Sequence, residues 1–177
     1  MADLFADDPG CSYYGRTVGL VTPEDGDLDR LCALARVQGN TNYSTVPDGD
    51  VPALSDGLKA RGLMPMHYAK WEGDETALAA ARHIVETRAL PADLALLRLD
   101  AATPPRVLSS LATMALACGV LPICGDALRG LGRASVCLVA QDVRGEVVSC
   151  AAASAFAHPE HPSQAGQAWW GDAGHRP

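Results

Sequence analysis

The sequence predicts a mixed α/β fold that changes to antiparallel strands near its C-terminal end. Hydrophobic residues make up 48% of the 177 residues, which is enough to form a buried core. Strand-like and helix-like runs alternate through the first half of the chain, as they do in layered α/β proteins. Near the end, two strand-like runs, 135–142 and 146–157, flank a polar turn at 143–145, which is typical of a β-hairpin.

The N-terminal part predicts a leader, a strand and a helix. Residues 1–15 are expected to form a flexible leader, and residues 16–22 a short strand. Thr22 can cap a helix that carries Pro23 in its first turn and ends at Gly39. The apolar face of this helix has helical spacing and consists of Leu28, Leu31, Cys32, Leu34 and Ala35.

Further strand–helix alternation follows up to residue 90. Residues 41–46 are expected to form a strand, and a second helix starts at Asp50 or Ser55. Residues 63–71 form a third extended run, and residues 75–88 a third helix. The third helix is expected to turn inward the apolar side chains of Leu78, Ala81, Ile84 and Val85.

The second half begins at a predicted boundary over residues 90–93, where a proline and a turn acid follow a complete helix. A strand over 94–100 comes next, and then Thr103 and two prolines start a long helix that Gly119 ends. A short helix over 126–132 leads into the hairpin. The inward face of the long helix is expected to contain Val107, Leu108, Leu111, Met114, Ala115 and Cys118.

A third strand-like run has barely begun when the sequence changes character. Gln167-Ala-Trp-Trp-Gly171 resembles the start of a strand, and Asp-Ala-Gly-His-Arg-Pro follows it. A strand beside a finished hairpin that stops so early indicates a sheet whose remaining strands are not in this chain. Its unpaired edge at Gln167–Gly171 can recruit another strand, so a homo-oligomer through this edge is expected.

These runs define four segments. They are a flexible leader (1–15), an accessory α/β region (16–90), an incomplete domain of antiparallel strands and helices (91–171) and a short tail (172–177). The accessory region is either a fused α/β domain or a decayed repeat of the second half.

Charge and composition exclude several classes of function. The net charge of −7 offers no basic face for nucleic acid. No run approaches the roughly 18 apolar residues of a membrane span, and the acidic N-terminus lacks the features of a signal peptide. The six cysteines form no CxxC pair and no regular framework, so we expect reduced thiols in a cytoplasmic protein that holds no metal.

Local motifs supply no catalytic residue. His158 and His161 flank a glutamate, which invites a metal site, but the neighbouring prolines favour a solvated loop. His67 lies in an apolar run, where a structural histidine is the better interpretation. Acids near the helix starts, Asp25, Asp27, Asp29, Glu72, Asp74 and Glu75, are interpreted as capping or solvated residues.

From residue 94 onward the predicted order is strand, long helix, short helix, strand, tight turn, strand, loop and strand. This order, together with the phrase Val136-Cys-Leu-Val-Ala-Gln-Asp-Val-Arg-Gly-Glu-Val-Val-Ser-Cys-Ala-Ala152, resembles the first half of the GNAT family of N-acetyltransferases. In that family a strand and two helices precede a meander of three antiparallel strands. The run at 167–171 stands where the family's fourth strand begins.

The resemblance implies an acyl-CoA-dependent N-acetyltransferase with acetyl-CoA as co-substrate and a small-molecule or peptide amine as acceptor. A base or a water chain would deprotonate the amine, and backbone N–H groups of the fourth strand would polarise the thioester carbonyl. Trp169 and Trp170 are the implied substrate-binding residues. Because adjacent strand residues face opposite sides, one ring is expected to pack on the core and the other to line the acceptor cleft.

The cofactor motif of the family is absent. GNAT enzymes end the fourth strand with Arg/Gln-x-x-Gly-x-Gly/Ala, which opens a helix that holds the pyrophosphate of acetyl-CoA. No such segment follows Gly171, and Gly130-Leu-Gly132 precedes a strand instead of a helix. We therefore expect little or no acetyltransferase activity from this chain alone. The competing interpretation is a non-catalytic α/β binding or assembly module.

The tail has a testable explanation. Codons for Asp172 to Pro177, read from the second base of the Asp172 codon, can encode Met-Leu-Ala-Thr-Asp-Pro. That string resembles a family fourth strand, so a one-base shift near codon 171 would explain the change of character. A chain boundary chosen by an experimenter is the alternative.

Overall fold

A short antiparallel hairpin opens the described structure. The computed structural model describes residues 5–164 and 167–175, and for residues 170–175 it describes the backbone alone. Strands β1 (Cys11–Tyr13) and β2 (Val18–Leu20) pair with each other. Residues 11–13 thus form a strand where a flexible leader is predicted, because the Cys11 side chain is buried in a cluster with those of Val18 and Leu20.

Helices α1 (Leu28–Gln38) and α2 (Val51–Ala60) follow the hairpin. The predicted start of α1 at Thr22 is wrong. Residues Pro23–Asp25 form an isolated 3-10 turn, and Gly26 is extended, with φ 174° and ψ 153°, so the helix begins only after Asp27. The Asp27 carboxylate caps α1 by accepting from the N–H of Arg30 at 2.8 Å.

The segment after α2 departs most from prediction. Residues 63–74 form neither helix nor strand, so the predicted extended run has no strand partner. Helix α3 (Glu75–Thr87) forms with Asp74 as its N-cap, but none of its residues is buried. The inward orientation predicted for Leu78, Ala81, Ile84 and Val85 is wrong, since all four are exposed.

A four-stranded sheet forms the second half. Its strands are β3 (Ala95–Arg98), β4 (Ser135–Gln141), β5 (Val147–Ala155) and β6 (Ala168–His175). They lie in the order β3-β4-β5-β6, and every neighbouring pair is antiparallel. The predicted hairpin is confirmed, and β6 lies at an edge of the sheet. It continues past Gly171 to His175, four residues beyond the predicted run.

Helices α4 (Pro105–Ala117) and α5 (Gly125–Leu128) cover one face of this sheet. The predicted inward positions of α4 are confirmed, because Val107, Leu111, Met114 and Ala115 are buried, and Leu108 and Cys118 pack against the same core. Alternation along β4 sends Cys137 and Val139 into this core. The other face is more open, and Leu96 and Val136 are 60% and 40% exposed there.

The two halves touch through the N-terminal hairpin. The N–H of Tyr13 donates to the carbonyl of Phe156 at 2.8 Å, and Ser12 forms an isolated bridge with Ala157. These contacts join the hairpin to the two residues that follow β5. The fold is therefore a mixed α/β structure, as predicted, with an antiparallel sheet and helices on one of its faces. None of the helices in the described ranges is long and apolar enough to cross a bilayer.

Candidate functional site

The antiparallel order of the strands creates a cleft at one end of the sheet. This strand order places the ends of β3 and β5 beside the starts of β4 and β6. The cleft has a volume of about 720 Å³ and is open to solvent. Its polar lining residues are Arg98, Asp100, Arg129, Ser135, Ser154 and Gln167.

The cleft carries charges of both signs. Asp100 Oδ1 accepts from the N–H of Ala102 at 2.9 Å and the hydroxyl of Thr103 at 3.2 Å, which fixes the carboxylate just before α4. The Arg129 guanidinium donates to Asp126 at 2.7 Å. Arg98 is exposed, and its guanidinium makes no hydrogen bond or ion pair within the described ranges. The cleft therefore suits a polar ligand that carries both a cationic and an anionic group.

Three aromatic rings pack between the N-terminal hairpin and the start of β6. The Tyr14 ring stacks on the Phe156 ring, with centroids 5.1 Å apart, and meets the Trp169 ring edge-on at 5.2 Å. Burial raises the pKa of Tyr14 to about 12, so its hydroxyl stays protonated at neutral pH. Trp169 thus packs inward against Tyr14, as expected of one of the pair. The side chain of Trp170 lies outside the described residues, and the substrate role of both stays a prediction.

An ammonium group lies beside these rings. Lys70 Nζ is 5.7 Å from the centroid of the Phe156 ring. It donates to Gln164 Oε1 at 2.9 Å, to Thr45 Oγ1 at 3.1 Å and to Gln167 Oε1 at 3.2 Å. We call Thr45, Phe156, Gln164 and Gln167 the ammonium cage. Gln167 also lines the sheet-end cleft, so the cage and the cleft are adjacent.

A second cavity lies between α4, α5 and β5. Its volume is about 310 Å³, and its walls are almost entirely apolar, including Leu108, Met114, Ile123 and Leu128. Ser109 and Cys150 are its polar side chains. Because its described lining residues include no carboxylate, imidazole or ammonium group, these walls suit an apolar group.

The histidines singled out in the sequence have structural partners. His161 is 2% exposed, so the solvated-loop prediction is wrong at this residue, and its Nε2 lies 3.1 Å from Asp25 Oδ2. His67 Nε2 lies 2.8 Å from the hydroxyl of buried Ser55, in agreement with a structural role. Within the described ranges, no three His, Cys, Asp or Glu side chains are arranged to hold a metal ion.

Comparison with protein-family models, with curated proteins and with solved structures finds no match to this chain.

The sequence predicts the start of β6 but not the other residues of the site. Lys70, Thr45 and Gln164 come from three loops, and no spacing rule links them. One feature of the sequence points to Lys70: it is one of two lysines in the chain, and it lies in an otherwise apolar run. For Arg98 and Asp100, which line the cleft, the sequence predicts only that they belong to a strand over 94–100.

Proposed function

We propose that this chain supplies the acceptor-binding half of an acyl-CoA-dependent N-acetyltransferase of the GNAT type. The observation that carries the proposal is the order β3, α4, α5, β4, β5, β6 with a fully antiparallel sheet. That is the arrangement that the resemblance implies for the first half of the family's fold. The sheet-end cleft, at the start of β6, lies beside the strand where the resemblance places the acceptor.

The described residues do not fit the pyrophosphate of acetyl-CoA. The resemblance requires a glycine-rich helix start directly after the fourth strand. In this chain residues 168–175 are strand throughout, and Gly130 and Gly132 lie between α5 and β4. We therefore assign no catalytic step to bound acetyl-CoA in this chain, and we expect the 177 residues alone to be weakly active or inactive.

The chain's own residues can bind and orient an acceptor. Arg98 and Asp100 offer opposite charges at the mouth of the cleft, and Gln167 places an amide at its wall. The backbone of β6 adds a second feature. The backbone pairs Ala152–Gly171 and Cys150–Gly174 enclose one residue of β5 but two residues of β6. The extra residue of β6 forms a bulge that interrupts the ladder. Backbone groups at such a bulge are available to a ligand oxygen.

The coding DNA from codon 165 to well past the stop tests this proposal. A shifted frame that encodes Met-Leu-Ala-Thr-like residues and then Arg/Gln-x-x-Gly-x-Gly/Ala would support it. The protein expressed in that frame should then show saturable thermal stabilisation by acetyl-CoA, whereas the 177-residue chain should not. If no frame contains the motif, or if the extended protein ignores acetyl-CoA, the assignment fails.

A second candidate function, assembly, rests on the position of β6. This eight-residue strand is the last in the sheet order, so one of its sides is an edge. Two chains could pair through these edges to form a dimer. Light scattering over a range of concentrations should then show self-association that Ala168→Lys abolishes, because edge lysines oppose strand pairing. The matched control is Val143→Lys in the exposed turn between β4 and β5. A chain that stays monomeric at every concentration would exclude this candidate.

A further inference from the structure

The ammonium group of Lys70 is coordinated as a bound ligand would be. Its three N–H donors face four acceptor oxygens between 2.9 and 3.2 Å away, three from the ammonium cage and one from Glu72. The Phe156 ring adds its face at 5.7 Å, within the range of a cation–π contact. Such a set satisfies a primary ammonium ion completely.

The cage belongs to a different part of the chain from the lysine that fills it. Thr45 precedes α2, whereas Phe156, Gln164 and Gln167 lie between β5 and β6. Gln164 is 7% exposed and uses its Nε2 to donate to the carbonyl of Ser163 at 3.0 Å. That bond turns Oε1 toward Lys70, so the amide is oriented by its own surroundings and not only by the ammonium.

The segment that carries Lys70 packs poorly. Residues 63–74 form no helix or strand, and Met64 and Trp71 are 94% and 90% exposed. Apart from Asp74, which caps α3, His67 and Lys70 make the side-chain hydrogen bonds that join this segment to the rest of the described fold, the first to Ser55 and the second to the cage. Lys70 is thus a tethered ligand on a weakly attached segment.

We propose that the ammonium cage is a binding site for a small primary alkylammonium ion, and that Lys70 fills this site from within the chain. A free alkylammonium presents the same three N–H donors and the same charge to Thr45, Gln164 and Gln167. It competes with the tethered lysine and gains access when the segment at 63–74 leaves the cage. This binding does not depend on the acyl transfer proposed above, and its test uses no acetyl-CoA.

The test replaces the ammonium group of Lys70 by a free alkylammonium ion in solution. Lys70→Ala removes three carbons and the ammonium, which is the size and charge of n-propylammonium. Thermal unfolding of K70A should shift upward saturably with n-propylammonium chloride, by about 3 to 6 °C at ten times the dissociation constant. Wild type should shift little, because Lys70 holds the site. Tetramethylammonium chloride at equal ionic strength, which has no N–H donor, should not stabilise K70A.

Lys59 provides the matched control, since it is the other lysine of the chain and its side chain is 63% exposed. K59A should show no response to n-propylammonium. An equal response of K59A and K70A, or equal stabilisation by tetramethylammonium, would overturn the proposal.

If K70A does not fold, labelling of the wild-type protein tests whether the cage holds the ammonium group of Lys70. A caged ammonium should react with an amine-acylating reagent at least about tenfold more slowly than the exposed Lys59, as peptide mass spectrometry can measure. Gln164→Leu should remove most of that protection. Equal labelling of Lys70 and Lys59 in wild type would contradict the cage.

Discussion

His161 Nε2 lies 3.1 Å from Asp25 Oδ2, across 136 residues of sequence. The N–H of Ser163 donates to His161 Nδ1 at 3.3 Å, so Nε2 carries the proton and donates to the carboxylate. Asp25 Oδ2 also accepts from the N–H and the hydroxyl of Thr22, at 2.7 and 2.8 Å. The contact between buried His161 and partly buried Asp25 joins the loop that carries Gln164 to the 3-10 turn after β2.

We expect His161→Leu to destabilise the fold by about 2 to 3 kcal/mol, because it removes one of the three hydrogen-bond donors to a partly buried carboxylate. Urea denaturation at neutral pH measures the change in the free energy of unfolding. His83→Leu, on exposed helix α3, is the matched control and should change it by less than about 0.5 kcal/mol. Equal effects of the two substitutions would show that the His161–Asp25 contact does not stabilise the protein.

The six cysteines should differ widely in reactivity. None of the six forms a disulfide in the described structure, where Cys124 is exposed and Cys11, Cys32 and Cys137 are buried. Burial raises the pKa of the Cys11 thiol to about 11, which keeps it protonated at neutral pH. Iodoacetamide should therefore modify Cys124 at least about tenfold faster than Cys11 in the folded protein. Unfolding in guanidinium should abolish the difference in rate, and fast labelling of native Cys11 would contradict the burial of this thiol.

The hairpin turn between β4 and β5 should make stability depend on acidic pH. The N–H of Glu146 donates to Asp142 and, together with contacts from Arg144, lowers the pKa of this carboxyl below 3.8. Because the folded pKa lies below the unfolded one, the stabilisation is complete above the unfolded pKa and is lost as pH falls through the folded pKa. Asp142→Asn should flatten the decline in the free energy of unfolding between about pH 5 and about pH 2. The matched control is Asp48→Asn, at an exposed residue before α2, which should leave the decline in the free energy of unfolding unchanged. If Asp48→Asn flattens this decline as much as Asp142→Asn does, the pH dependence does not come from the turn.

Local signals explain why the second half of the fold was predictable. Thr103 and the prolines after it mark the start of α4, Gly119 with φ 74° marks its end, and Asp142 and Gly145 close the β4–β5 turn. Each signal acts within a few residues of the element that it determines. The start of α1 was misplaced for the same kind of reason, because the extended backbone at Gly26 separates two possible caps that lie close together.

The candidate site depends on contacts that no local pattern records. Lys70 meets Gln164 across 94 residues, and His161 meets Asp25 across 136. Hydrophobic periodicity also shows that a helix has an apolar face without showing what that face contacts. Helix α3 illustrates this limit, since its periodic face has no buried residue.

Helix α3 gives the sharpest test of this difference between pattern and packing. Ile84 is 58% exposed, whereas Leu111 on α4 is buried in the core with Met114 and Val139. We expect Leu111→Ala to cost about 2 to 5 kcal/mol of unfolding free energy, because it removes buried carbons and leaves a cavity. Ile84→Ala should change it by less than about 0.5 kcal/mol, because the side chain makes no core contact and alanine is the better helix former. Denaturant titrations of both variants at one protein concentration provide the comparison. A loss at Ile84 approaching that at Leu111 would mean that the apolar face of α3 is buried in solution, as its periodicity alone predicts.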